Sequence, residues 1–147
     1  MENIKILVID DDKMIVQSIQ EVLELAGYDT EASYSGKDAI DKIKDEEFNV
    51  VLCDIMLPDI LGTEVLANIH KLKPRTKVIM ITGFASLDNA VLSLNLGASA
   101  YIMKPVNPDN LLKVISNKLH EQDKNERLNE DRVSEWIEDR LNNLDKE

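Results

Sequence analysis

The sequence predicts an α/β domain with a five-stranded, doubly wound parallel sheet, a three-layer α/β/α arrangement and a C-terminal helical extension. Short apolar runs rich in Val and Ile recur along the chain, as in strands that are buried on both faces. Between these runs, apolar residues recur at the three- and four-residue spacing of helices. Strands that alternate with helices favour an open sheet with right-handed crossovers.

The first two units illustrate the pattern. Residues 4–9 form an apolar run, and residues 13–26 have helical periodicity that ends before Gly27, where a left-handed cap is favoured. Residues 28–33 make a weaker strand, after which Ser35 can cap a second helix. Two complete strand–helix units are therefore predicted.

Three more units follow along the chain. Residues 50–54 form a buried strand that precedes a helix near 62–71, and Pro74 breaks that helix before a fourth strand at 78–81. The fourth helix begins at Ser86 and ends at Gly97, the fifth strand covers residues 100–103, and the fifth helix starts at about Asn107. Its predicted buried residues are Leu111, Leu112, Ile115 and Leu119.

A polar stretch at residues 121–132 marks the predicted domain boundary. We assign residues 1–122 to the α/β domain and residues 123–147 to a polar linker with an amphipathic C-terminal helix. The apolar stripe of that helix comprises Val133, Trp136, Ile137, Leu141 and Leu144. The stripe is open to three interpretations: a dimerising helix, the start of a linker, or a helix folded back on the domain.

Composition excludes several classes of function. A formal net charge of −11 argues against nucleic-acid binding, which depends on clustered Lys and Arg. Cys53 is the only cysteine, so neither an internal disulfide nor a cysteine-based zinc site is expected. The sequence lacks a basic leader and an apolar run of about 18 residues, which predicts a cytoplasmic protein without a membrane span.

Polar residues that can carry chemistry cluster where the predicted strands end. Ligands of open α/β sheets bind outside the carboxyl ends of the strands, so these residues can share one pocket. They follow the first strand (Asp10, Asp11, Asp12), end the third and fourth strands (Asp54, Thr82) and follow the fifth (Lys104).

The acidic residues predict a cation site. Asp10 and Asp11 would repel Asp54 unless a cation lay among them, and oxygen-only ligands favour a hard ion such as Mg²⁺. Asp12 fits either this cluster or the N-cap of the first helix.

The remaining polar residues predict phosphoryl chemistry. Lys104 can neutralise an incoming phosphoryl group, and the Thr82 hydroxyl can donate to one of its oxygens. Asp54 is the best candidate for the phosphoacceptor because its strand is central in the sheet.

Four motifs together resemble response-regulator receiver domains over residues 3–120. They are Ile6-Leu7-Val8-Ile9-Asp10-Asp11-Asp12, Cys53-Asp54-Ile55-Met56-Leu57-Pro58 with Gly62, Met80-Ile81-Thr82-Gly83, and Lys104-Pro105. The resemblance implies the flavodoxin-like receiver fold of two-component signalling proteins. It also implies a phosphoacceptor domain that assists only its own phosphorylation and dephosphorylation and is not otherwise an enzyme.

The resemblance assigns the site residues as well. A sensor histidine kinase or phosphotransfer protein would phosphorylate Asp54. Mg²⁺ would be bound by the side chains of Asp11 and Asp54 and by the Met56 carbonyl, while Asp10 would act through a metal-bound water. The Lys104–Pro105 peptide bond is expected to be cis.

The resemblance further implies a switch that changes protein contacts. Thr82 would move toward the phosphoryl group and Tyr101 would follow it inward. Both movements would alter the face formed by the fourth helix, the fifth strand and the fifth helix. The partners expected there are a downstream protein target, an output domain or a second copy of the chain.

Two rival functions are compatible with parts of the pattern. An acid-nucleophile phosphatase of the haloacid dehalogenase type would use Asp10, but Met14 stands where that family usually has Thr or Val, and Asp54 would have no role. A receiver-shaped binding module that signals without phosphorylation would lack a site residue, and none is missing here.

Overall fold

The computed structural model describes residues 3–83 and 86–144, without the side chains of Leu87, Asn129, Asn143 and Leu144. Strands and helices alternate along the chain. They are β1 (Lys5–Ile9), α1 (Lys13–Leu25), β2 (Asp29–Ser33), α2 (Gly36–Asp45), β3 (Val50–Asp54), α3 (Gly62–Leu72), β4 (Lys77–Thr82), α4 (Leu87–Asn95), β5 (Ala100–Met103) and α5 (Pro108–Leu144).

The five strands form one parallel sheet in the order β2-β1-β3-β4-β5. The strand order reverses between β1 and β3, so the carboxyl ends of these two strands flank the position where such sheets bind ligands. The doubly wound architecture predicted from the alternating pattern is confirmed.

Alternate residues of the strands face two separate halves of the core. Leu7, Val51 and Met80 belong to the half that includes residues of α2 and α3. Val8, Leu52 and Ile79 belong to the half that includes residues of α1 and α5. Burial on both faces explains why these strands are apolar without alternation.

Side-chain caps mark the starts of α1, α2 and α4. Asp12 caps α1, where its Oδ1 accepts hydrogen bonds from the backbone N–H groups of Met14 and Ile15 at 3.0 and 3.3 Å. Ser35 and Ser86 cap α2 and α4 in the same way. Of the two interpretations of Asp12, the structure therefore supports the N-cap.

The fifth helix differs from the sequence-based expectation because it continues without a break through residues 121–132. That stretch contains neither Gly nor Pro, and Glu, Lys, Arg and Gln all favour helix. An ion pair between Arg127 Nε and Asp123 Oδ2 at 3.2 Å adds local support. The Gln122 side chain donates to the carbonyls of Asn49 and Arg75, at 3.3 and 2.7 Å, where the helix leaves the sheet.

Beyond that point α5 exposes the apolar stripe. Val133, Trp136, Ile137 and Leu141 of the stripe are exposed, as is Leu128 before it, whereas the side chain of Leu144 lies outside the described ones. The stripe does not fold back on the sheet, so that interpretation is wrong. A homodimer through this stripe stays a prediction, and a strict monomer in sedimentation would exclude it.

Within residues 3–83 and 86–144, no helix is both long and apolar enough to cross a bilayer.

Candidate functional site

Three carboxylates meet at the carboxyl ends of β1 and β3. Asp10 and Asp54 are only 3% and 7% exposed, whereas Asp11 is exposed. Their carboxylate groups offer oxygens that lie within 4.8 Å of one another. The register explains why Asp10 and Asp54 are close: Ile9 pairs with Cys53, and Asp10 and Asp54 are the residues that follow this pair.

Backbone contacts orient Asp10 and Asp54. The Asp10 N–H donates to the Ser33 carbonyl at 3.1 Å, and Asp10 Oδ1 accepts from the Asp12 N–H at 2.9 Å. Asp54 Oδ1 accepts from the Met56 N–H at 3.2 Å. In each buried carboxylate, one oxygen thus accepts a hydrogen bond from a main-chain N–H and the other contacts Lys104.

Lys104 joins the two buried acids. Its Nζ lies 2.7 Å from Asp10 Oδ2 and 2.9 Å from Asp54 Oδ2. The Lys104 N–H donates to the Thr82 carbonyl at 2.8 Å, which ties the start of the loop after β5 to the end of β4. The Lys104–Pro105 peptide bond is cis, as expected.

The electrostatic balance of the pocket remains negative despite Lys104. Burial raises the pKa of Asp54, and hydrogen bonds from Lys104 and the Met56 N–H offset this only partly. Burial alone would lower the pKa of Lys104, but its hydrogen bonds and ion pairs with Asp10 and Asp54 outweigh that effect and raise it. The raised pKa of Lys104 indicates that Asp10 and Asp54 stabilise positive charge between them.

The donor set fits a hard divalent cation. Three carboxylates and one ammonium carry a formal net charge of −2, which a divalent ion would neutralise. The candidate ligands are all oxygen atoms, as Mg²⁺ prefers. Cys53 is no ligand here because it is buried in β3, and burial raises the pKa of its thiol far above the usual value.

Thr82 and Tyr101 lie on the fourth and fifth strands, and Thr82 borders the pocket because its carbonyl accepts from the Lys104 N–H. Thr82 is almost completely buried at the end of β4, where it pairs with Met103. Tyr101 pairs with Met80, and its ring packs against the α3 side of the core. The Tyr101 hydroxyl is shielded from solvent and makes no hydrogen bond within the described residues.

The loop after β3 carries a contact that the sequence did not indicate. Met56 and Leu61 form an antiparallel bridge at the base of this loop, and the Gly62 N–H donates to the Ile55 carbonyl at 2.7 Å. Near the tip, the Asp59 carboxylate accepts from the backbone N–H groups of Gly36 and Lys37, both at 2.8 Å. Both hydrogen bonds lower the pKa of Asp59, and the one from the Lys37 N–H has the larger effect.

An apolar cleft of about 590 Å³ adjoins the acid pocket. It lies between α1 and the beginning of α5 and is lined mainly by aliphatic side chains and prolines, with Lys104 among its residues. Met14, at 79% exposure, is the most accessible large apolar side chain in the cleft. An apolar surface therefore extends from the lysine that contacts Asp54.

Comparison with known proteins identifies this arrangement. The family described as response regulator receiver domain matches residues 6–116 of the chain. The chain belongs to this family. It is therefore a receiver domain of two-component response regulators, and the phosphatase alternative based on Asp10 finds no support in the comparisons.

Solved structures of other receivers have the same fold. A CheY-like receiver domain protein from Methanospirillum hungatei JF-1 is 51% identical, with a TM-score of 0.83 and coverage of 84% of this chain and 99% of that one. A response regulator from Burkholderia pseudomallei, solved with a phosphorylated aspartic acid, calcium ion and citrate, is 27% identical. Its TM-score is 0.75, with coverage of 86% of this chain and 75% of that one.

Curated relatives are longer than this chain. The transcriptional regulatory protein ZraR of Escherichia coli strain K12 is 36% identical over 110 residues, which are 75% of this chain and 25% of that protein. The match thus spans about a quarter of the relative's length.

Proposed function

We propose that this receiver accepts a phosphoryl group on Asp54 in a Mg²⁺-dependent reaction. The contacts of Asp54 carry the proposal: one oxygen accepts from the Met56 N–H, and the other lies 2.9 Å from Lys104 Nζ, beside Asp10 and Asp11. The Burkholderia pseudomallei relative, solved with a phosphorylated aspartic acid and a calcium ion, supports the same chemistry.

In the proposed reaction an Asp54 carboxylate oxygen attacks the phosphorus of the donor. A new O–P bond forms while the P–N bond of a phosphohistidine breaks, and the imidazole leaves with the electron pair. Lys104 supplies positive charge to the phosphoryl oxygens from its position between Asp10 and Asp54.

The residues proposed to hold Mg²⁺ are Asp11 and Asp54 through their side chains, Met56 through its carbonyl, and Asp10 through a water. When bound, Mg²⁺ neutralises the carboxylates and the charge of the transferring phosphoryl group. The negative charge left uncompensated by Lys104 supports a divalent rather than a monovalent ion.

The proposed output is a change in protein contacts through Thr82 and Tyr101. The Tyr101 hydroxyl is shielded from solvent and has no hydrogen bond among the described residues, so the proposed movement of Tyr101 after Thr82 can change a desolvation cost. The neighbouring surface exposes large apolar side chains that a partner could cover: Val91, Leu92 and Leu94 on α4, and Met103 on β5.

We further infer that the chain assists only its own phosphorylation and dephosphorylation and acts by contact with a downstream protein or output domain. The curated relatives are named transcriptional regulatory proteins, and the chain matches about a quarter of their length. Its net charge of −11 supports an output through protein contact rather than nucleic-acid contact by this segment.

The proposed donor is a phosphohistidine kinase or phosphotransfer protein that docks in the apolar cleft. Lys104 contacts Asp54 and also lines this cleft, so a partner seated there would hold its phosphohistidine near the acceptor. Met14 lines the cleft on the α1 side and offers an exposed apolar contact.

Phosphoryl uptake from two donors tests these proposals together. We expect the purified chain to gain one phosphoryl group from acetyl phosphate and from a phosphohistidine protein, and to gain neither when a chelator replaces Mg²⁺. Intact-mass spectrometry over time provides the measurement. Chelator-resistant uptake would contradict the role of Mg²⁺.

A charged substitution in the cleft separates docking from chemistry. Met14→Glu is expected to slow transfer from the protein donor by about 10-fold, in the range for the loss of an apolar interface contact, with acetyl phosphate uptake unchanged. Leu25→Glu, at a 90% exposed position of the same helix outside the cleft, is the matched control. Equal transfer by both variants would contradict docking in the cleft.

A further inference from the structure

The loop between β3 and α3 presents the main chain of Met56 to the acid pocket. Leu57 and Ile60 of this loop pack against the core, but the base of the loop is more open. Met56 and Leu61, the two residues that form its base, are 52% and 53% exposed. Leu61 is also the N-cap residue of α3 and makes no side-chain capping bond. Polar contacts can therefore add to the packing of Leu57 and Ile60 in fixing the position of this loop.

Asp59 provides such a contact across 22 to 23 residues of sequence. Its two carboxylate oxygens accept separate hydrogen bonds, one from the Gly36 N–H and one from the Lys37 N–H at the start of α2. Among the described residues, no other hydrogen bond joins residues 57–60 to α2. Hydrogen bonds to an ionised carboxylate are stronger and shorter than neutral ones, and two of them fix its orientation.

Apolar packing at the same junction makes the contact close. A Cβ atom added to Gly36 would lie 2.8 Å from Ile60 Cδ1 and 2.9 Å from Val65 Cγ2. The absence of a side chain at Gly36 thus allows α2 to approach the loop and brings its N–H groups within reach of Asp59. The start of α2 and the loop after β3 are thus held together by hydrogen bonds and by close packing.

We propose that Asp59 is a positioning residue for the cation site: by tying the loop to α2, it holds the Met56 main chain where its carbonyl can bind Mg²⁺. This inference rests on the proposed function. Asp59 is exposed and three residues from Met56, so it acts through the loop. Groups that orient metal ligands commonly contribute about 10- to 100-fold to metal affinity.

Calorimetric titration of the full chain with MgCl₂ tests the proposal. We expect Asp59→Ala to raise the Mg²⁺ dissociation constant by about 10-fold, at the lower end of the range for such groups. Asp59→Asn retains one acceptor oxygen and is expected to give an intermediate value. Gly36→Ala, which displaces Ile60 without changing charge, is expected to weaken binding as well.

Asp38→Ala is the matched control. Asp38 lies in the first turn of α2 and pairs with Lys42 at 3.3 Å, so the variant removes the same charge from the same helix end. Its effect on Mg²⁺ affinity should stay below about 2-fold because exposed charges are screened over roughly 8–10 Å in physiological salt. A role of Asp59 in helix stability alone would lower the unfolding temperature but would not change Mg²⁺ affinity.

Uptake from acetyl phosphate supplies a second readout. The Asp59→Ala variant should need more Mg²⁺ for half-maximal uptake but approach the wild-type rate at saturation. If the wild-type chain binds Mg²⁺ and Asp59→Ala binds it with the same affinity, this inference is overturned and the proposed function is not. Failure of the wild-type chain to bind Mg²⁺ would overturn the proposed function and this inference with it.

Discussion

Gly62→Ala is expected to destabilise the fold by about 3 kcal/mol, at the upper end of the cost of overpacking. The added Cβ would overlap the Asp54 carbonyl oxygen and lie 2.8 Å from both Asp54 C and Ile55 Cα. These are backbone atoms of β3 and the residue after it, which cannot rotate aside as a side chain would. The Gly62 N–H also donates to the Ile55 carbonyl at 2.7 Å, which keeps α3 close.

Chemical denaturation measures this loss, and Gly83→Ala provides the control. Gly83 follows β4 at the same edge of the sheet, but among the described residues an added Cβ there would meet only Lys104 Cδ, at 3.9 Å. We expect its free energy of unfolding to stay within about 0.5 kcal/mol of wild type, as at ordinary surface positions. Equal losses in the two variants would contradict the steric argument.

Lys104→Met is expected to slow phosphoryl uptake by about 100- to 1,000-fold, the range for loss of one group that stabilises transition-state charge. Lys104 Nζ lies within 2.9 Å of both Asp10 and Asp54, so its removal also leaves two buried carboxylates without their cation. The initial rate of uptake from acetyl phosphate at fixed Mg²⁺ measures the effect.

A lysine of similar exposure controls for the general loss of an ion pair. The Lys118 side chain is 21% exposed, against 20% for Lys104, and pairs with Glu121 on α5. Lys118→Met should therefore retain wild-type uptake. If Lys104→Met takes up phosphoryl groups at the wild-type rate, the Lys104 ammonium has no role in the reaction.

Much of the fold follows from local sequence patterns. The apolar runs predict β1, β3 and β4 to within one residue at each end because both faces of these strands are buried. The ends of α1 and α4 are also marked locally, since Gly27 and Gly97 adopt φ values of +94° and +103° that favour glycine.

The fifth helix was harder to predict beyond the sheet. A polar composition predicts a linker when burial is the criterion, but helix propensity and i,i+4 pairs such as Asp123–Arg127 do not require burial. The continuity of α5 is therefore compatible with a face that the domain leaves exposed.

The candidate site was predictable where its residues end strands. Asp10, Asp54 and Lys104 converge because parallel strands bring their carboxyl ends to one edge, and spacing along the chain is enough to indicate this. Asp59 could not be assigned in the same way. Its partners are backbone N–H groups of α2, and no side-chain motif marks such groups in a sequence.

The central claim is that Asp54 is the phosphoacceptor, and locating the transferred group tests it most directly. The chain is incubated with acetyl phosphate and Mg²⁺, the acyl phosphate is reduced with borohydride, and the altered residue is located by peptide mass spectrometry. The account predicts modification at Asp54, and no uptake by Asp54→Asn. Modification at Asp10 or Asp11, or undiminished uptake by Asp54→Asn, would contradict it.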